Sequence, residues 1–312
     1  MFSSAPFERN HSGVFGALHS VRKRIERWSP FYRRNFITTG RAGNLLMRGL
    51  LSLARPVFLG RLGSTEAACL SFYLRHRPAR PYPNWLVHEL SYSSGMFSHQ
   101  PEQIDRFARL LMSALEKTDL LAVWNPSGEA HCLPRCCPQQ PALVPLHCLR
   151  SWTFGDPWSE LLENRKVAVI HPFRRSIEEN YRQRRTLLFH NQRILPQFEL
   201  SVVEAVQGLT GEETGFPDWF SALEFLKSQL QAVEYDTAIV GCGAYGLPLS
   251  AWIRGQGKSV IHMAGKTQLL FGIMGRRWSG QLEPWARIEH WTRPRPEETP
   301  SDFLGMESGC YW

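Results

Sequence analysis

The chain has no apolar run long enough to cross a bilayer. Of its 312 residues 43% are hydrophobic, yet none of the runs approaches the about 20 residues that a spanning helix needs. The nearest candidate, 45–59, is short and carries Arg48 and Arg55. Internal repeats and low-complexity tracts are missing, which excludes solenoids and propellers. Seven cysteines make an odd number with no framework spacing. No secretory leader is visible, so the expectation is reduced thiols in a cytoplasmic protein. Cys-x2-Cys pairs are absent as well. His131, Cys132, Cys136, Cys137, His147 and Cys148 lie near one another in sequence, but they fit no common zinc spacing, and the cysteines among them are expected to be exposed loop thiols.

Acidic residues are scarce in one place. Residues 1–56 hold ten Arg or Lys against two acids, Glu8 and Glu26. The rest of the chain holds equal numbers of each sign, so the net charge of +8 belongs to the N-terminal arm. A nucleic-acid-binding protein more often spreads basic charge over a folded face, and no nucleic-acid partner is expected. A basic arm suits an anionic membrane surface, peripherally, or another acidic partner. Its composition is also that of a mitochondrial transit segment, a reading ranked second. Val21, Ile25 and Trp28 recur at helical spacing with arginines on the other face. That pattern fits a helix packed on the domain or one lying in a membrane interface. The division expected is a basic helical arm at 1–54 and a folded domain at 55–312.

What the chain does have is alternation. Strands are expected at 56–60, 120–124, 166–171, 235–240 and 258–262. Helices are expected at 67–74, 107–115, 176–188, 219–232 and 247–255. The stretch 134–145 reads as loop, and the tail from 285 as irregular chain on the surface. Strands alternating with helices imply crossover connections. The fold class is therefore α/β, a Rossmann-like parallel sheet with helices on both faces.

In such sheets ligands bind beyond the carboxyl ends of the strands. Gly241-Cys-Gly243-Ala244-Tyr245-Gly246 matches G-x-G-x-x-G between a strand and a helix, the context the motif requires. Its glycines and the helix N-terminus suit a phosphate or diphosphate. A nicotinamide enzyme also needs an acid at the end of the next strand. No acid occurs between Gly241 and Gln281, which makes an NAD(P)-dependent oxidoreductase the rival reading. His262, Lys266 and Gln268 stand there instead and suit phosphate or sugar hydroxyls. His262 fits a structural histidine equally well. Glu66, in the turn Arg61-Leu-Gly63-Ser64-Thr-Glu66, can act as base, bind a metal, or complement a helix dipole. His171 and Arg174 follow the third strand and suit an anionic substrate.

Together these motifs resemble bacterial proteins of the GT-D glycosyltransferase fold, found among polysaccharide biosynthesis proteins. One likeness is that family's Arg-x-Gly-Asp-Gly-Glu motif, matched here by Arg61 to Glu66. Another is the glycine turn at 238–249 with the following strand at 257–265. The run 268–273 and the ending Gly309-Cys-Tyr-Trp312 are similar to one subgroup. The resemblance spans roughly 55–312 and leaves out the arm. It implies a transferase taking a nucleoside-diphosphate sugar as donor, often with Mn2+ or Mg2+. It also implies a glycan or lipid-linked glycan acceptor at the inner membrane surface. By that likeness Glu66 is metal contact or base, and Arg61, Gly63 and Ser64 shape its turn. Gly241, Gly243, Ala244, Tyr245 and Gly246 receive the nucleotide, with His171, Arg174, His262, Lys266 and Gln268 as further contacts. Ser64 departs from the family, which has Asp there. Either Glu66 holds an ion alone with the diphosphate, or transfer is metal-independent, or the chain is a non-catalytic nucleotide-binding member of a polysaccharide assembly.

Overall fold

Strand residues here are apolar at nearly every position because both sheet faces are covered, the pattern of a parallel sheet. The computed structural model describes residues 30–36, 39–208, 213–279, 285–306 and 308–312. The helix expected at 21–28 lies outside them. The strands are β1 (Phe58–Gly60), β2 (Leu120–Val123), β3 (Ala142–Pro145), β4 (Lys166–His171), β5 (Glu199–Glu204), β6 (Thr237–Val240) and β7 (Ser259–His262). They form one sheet in the order β3-β2-β1-β7-β6-β4-β5, and each pairing within it is parallel. The helices are α1 (Pro30–Asn35), α2 (Gly40–Leu51), α3 (Ser64–His76), α4 (Asn84–Tyr92), α5 (Pro101–Leu115), α6 (Glu129–Cys136), α7 (Arg174–Arg184), α8 (Trp219–Gln231), α9 (Gly246–Gly255) and α10 (Thr267–Leu270). The Rossmann-like α/β architecture expected from the alternation is the one observed.

Successive strand residues feed opposite cores, as the period of two demands. Phe58, Leu121, Ile170, Val240 and Val260 face one core with α3, α5, α8 and α9. Leu59, Leu120, Val169, Ile239 and Ile261 face the other with Met47 and Leu51 of α2, Ile177 of α7 and the tail. Right-handed crossovers account for the split. Connections stepping toward β3 place their helices on the first face, while β4 to β5 steps the other way and places α7 on the second. Within the stretch assigned to the arm, α2 is docked: Asn44 Nδ2 donates to the Asp156 carbonyl at 2.7 Å, and Arg48 pairs with Glu160 at 2.8 Å.

After β1 the chain turns onto the first face as α3. After β7 it turns onto the second, where Leu269, Leu270 and Phe271 are buried. Neighbouring strands whose exits diverge in this way open a crevice at their carboxyl ends. By that rule the candidate crevice lies beyond β1 and β7.

Three expectations need correction. β3 arises inside the stretch read as loop, where proline and cysteine hide a four-residue edge strand. β5 went unread because its alternation is weak at a half-exposed edge. The thiols of Cys132, Cys136, Cys137 and Cys148 are buried rather than exposed. They serve as small apolar core residues, and burial pushes their pKa values upward.

Candidate functional site

The chemistry converges where β1 runs into α3. Gly63 is the N-cap of α3, and a Cβ there would collide with the Glu66 carboxylate. The missing side chain therefore lets Glu66 fold back over the first turn of its own helix. Burial raises the Glu66 carboxyl above the ordinary range; its own backbone N–H and the charge of Arg61 pull the other way. Ser64, the first residue of α3, is exposed. Arg61 lays its guanidinium 4.9 Å from the Trp124 ring centre. The Trp124 Nε1 donates to the Leu62 carbonyl at 3.0 Å, which fixes that platform. Burial acts against the charge of Arg61, and Glu66 favours it. A guanidinium remains a cation regardless.

Trp124 and Asn125 follow β2, beside β1. Asn125 is left-handed at φ 60°. Its N–H donates to Glu129 Oε2 at 2.7 Å, and that of Trp124 at 3.3 Å. Asn125 is 5% exposed, and its Nδ2 meets no acceptor among the described residues.

The tail closes the crevice from the β7 side. Arg276 N donates to the Trp312 carbonyl at 3.0 Å and Arg277 N to that of Cys310 at 3.1 Å. Gln268 Nε2 holds the same segment through the Tyr311 carbonyl at 3.0 Å. Tyr311 lies against Gly265, where a Cβ would strike its ring. The Arg277 guanidinium covers Tyr311 at 5.4 Å, and its charge bears on Arg61 after burial, Glu66, Tyr311 and Glu129. Further along the edge, Arg150 and Lys266 approach His147; burial first, then their charges, lower its pKa. One half-buried carboxylate thus stands among several cations, an indole and a phenol. Sequence reasoning missed Trp124, Arg277 and Tyr311. Only the ending around Tyr311 carried a signal, through the family likeness.

The other sequence candidates take different places. Gln268 is fully buried as a brace for the tail. His262 ends β7 with its ring packed where a Cβ on Gly246 would go. Burial, then the charge of Arg61, pushes it down to about 3, so it is a neutral packing group. The 241–246 turn has the strand-to-helix context, but its neighbours are protein. A Cβ on Gly241 would strike Thr267, and Ala244 N donates to the Ser94 carbonyl at 2.8 Å. Gly243 has φ +55°, a left-handed value that glycine adopts without strain, and it faces that same carbonyl. Tyr245 stacks on Trp219 with centroids 4.8 Å apart and planes 7° apart. It packs as a core residue.

His171 and Arg174 are corrected too. They lie three strands from β1, about 14 Å at normal strand spacing. His171 is 3% exposed; its Nδ1 accepts the Phe173 N–H at 3.0 Å, and burial pushes it down to about 3. The turn expected to suit an anionic substrate through His171 and Arg174 leads into α7, whose N-terminus already has an anion. Glu298 accepts from Arg175 N at 2.6 Å, from Ser176 N at 3.2 Å and from the Ser176 hydroxyl. Arg174 turns to solvent and pairs with Glu178 at 3.1 Å.

Among the described residues no group of three or more His, Cys, Asp or Glu could hold a metal ion, and no helix is long and apolar enough to cross a membrane. No protein-family model matches the chain, and no curated protein matches it in sequence. Two solved structures are similar to it at 10% identity. One is described as a selenomethionine-substituted structure of domain of unknown function 1792. It covers 79% of this chain and 82% of its own, with a TM-score of 0.44. The other is described as showing that the highly conserved domain of unknown function 1792 has a distinct glycosyltransferase fold. It covers 79% of this chain and 81% of its own, with a TM-score of 0.45.

Proposed function

We propose that the chain is a glycosyltransferase that moves a sugar from a nucleoside-diphosphate sugar to a hydroxyl of a glycan acceptor. The observation that carries this reading is a half-buried carboxylate, Glu66, beside Arg61 in the crevice between β1 and β7. Glycosyl transfer needs a base for the acceptor hydroxyl and positive charge for the departing diphosphate. In the proposed step the acceptor oxygen bonds to the anomeric carbon and its proton passes to Glu66. The bond from that carbon to the diphosphate oxygen breaks, and the oxygen keeps the electron pair. Arg61 meets the resulting charge. The exposed indole of Trp124 offers an aromatic surface for a sugar or base. The excess charge of the arm would bring the enzyme to an anionic membrane surface, where lipid-linked acceptors lie.

The test is a melting series with UDP, GDP, CMP, ADP and NAD, followed by transfer assays with the sugar donors of whichever nucleotide binds. A ligand of the native state raises the midpoint by mass action. A rise with one nucleoside diphosphate, and turnover lost in Glu66→Gln at an unchanged melting midpoint, is expected. Silence across the series, or full turnover in Glu66→Gln, would sink the proposal.

A further inference from the structure

We infer that the leaving nucleoside diphosphate is held by a clamp of two arginines, Arg61 just after β1 and Arg277 in the turn that the tail pins, and that this clamp replaces a divalent metal ion. The inference rests on the transferase reading and names how that site neutralises its substrate.

The donor set near Glu66 does not suit a metal. Ser64, two residues before Glu66, carries a hydroxyl in place of any carboxylate and is exposed. Glu129 Oε2 is committed to the main chain of Trp124 and Asn125. Among the described residues no group of three or more His, Cys, Asp or Glu surrounds Glu66, and Arg61 stands beside it. Divalent cations such as Mg2+ take oxygen ligands, commonly from carboxylates, and neighbouring guanidiniums oppose them.

The same arrangement suits a diphosphate. Guanidinium groups match phosphate oxygens with paired N–H donors. Arg61 is braced by Trp124 at 4.9 Å and Arg277 by Tyr311 at 5.4 Å, so each fork is held before substrate arrives. Glu66 favours the charge of Arg61, and one carboxylate does not match two guanidiniums; the departing diphosphate supplies the further negative charge. Tyr311 is fixed by the Gln268 brace and by its fit against Gly265. The tail therefore contributes to the site itself and does not merely wrap the surface.

The experiment titrates the full chain with UDP, GDP and ADP in EDTA and again in Mn2+, by calorimetry. The expected result is equal affinity in both buffers for the nucleotide that binds. Arg277→Gln should weaken that affinity about 10-fold to 100-fold in both, the usual value of charge-assisted hydrogen bonds. Arg277→Lys should recover part of the loss, and the ligand-free melting midpoints of both variants should match the parent. The salt dependence of binding should also flatten in Arg277→Gln, which a purely structural role would not produce. Binding that appears only with Mn2+, or unchanged affinity in Arg277→Gln, overturns the clamp. Absence of binding in either buffer overturns the transferase reading and the clamp with it.

Discussion

Glu298 makes the sharpest test of how this fold uses its charges. Its carboxylate accepts from Arg175 N at 2.6 Å, Ser176 N at 3.2 Å, Arg295 N at 3.3 Å and the Ser176 hydroxyl. The residue is 9% exposed. Glu298→Ala leaves these donors to be satisfied by water. A lost helix cap alone costs about 0.5–2 kcal/mol, and each hydrogen bond to a charged group about 1.5–3 kcal/mol. Water can return to part of the site, because Glu297 and Glu298 line an open groove of about 720 Å³. The net loss should then be about 2–4 kcal/mol, a fall of roughly 3–6 °C in the melting midpoint of a chain this size. The diagnostic part is rescue. With its resident carboxylate gone, the N-terminus of α7 becomes an anion site, and added phosphate should recover much of the lost stability. Adding Arg174→Gln to the variant should weaken the recovery, while Arg174→Gln alone should leave the phosphate response of the parent unchanged. A variant that melts like the parent, or one that phosphate does not rescue, would refute the assignment of Glu298 as the helix's own anion.

Other consequences are measurable. Gly63→Ala should displace the Glu66 carboxylate and lower turnover by about 100-fold, the penalty of a misplaced reacting group, with near-parental nucleotide affinity; an active variant would show that the carboxylate need not fold back. Because burial raises the Glu66 carboxyl, and the base must be ionised, kcat/KM should climb with pH through an apparent pKa above that of a free glutamate. A profile flat down to the ordinary carboxylate range contradicts this. His171 and His262 are both pushed down to about 3, whereas in the unfolded chain they titrate near about 6.5. Between those values the unfolded state binds more protons. Stability should therefore fall as pH falls through that window, by up to about 1.4 kcal/mol per pH unit for each histidine. Denaturant midpoints measured from pH 7 to about pH 4.5 should decline, and a His171→Asn variant should show the shallower slope.

Much of the scaffold was legible because buried parallel strands have an unmistakable composition. Lys166-Val-Ala-Val-Ile-His171 matches β4 residue for residue, and Trp219–Gln231 closely follows the helix expected there. β3 and β5 were not, since edge strands bury one flank only and carry weaker alternation. The glycine turn shows the same limit from the other side. Its pattern and context were correct, yet a main-chain carbonyl from Ser94 and the stacked Trp219 fill the space beside it. No local pattern reports what a distant segment brings against a loop.

The sequence by itself determined that the chain alternates strand and helix, that the candidate site lies after those strands, and that Arg61 and Glu66 flank the start of a helix there. Those are consequences of periodicity and chain order, which are local. Only tertiary structure decided which helix N-terminus is open and which is filled by Glu298, 122 residues from Ser176. It likewise decided that Tyr311, covered by Arg277, comes back against Gly265 just beyond β7. Charges act through space, and the partner that neutralises a helix end or completes a cleft is set by folding, at sequence separations no motif spans.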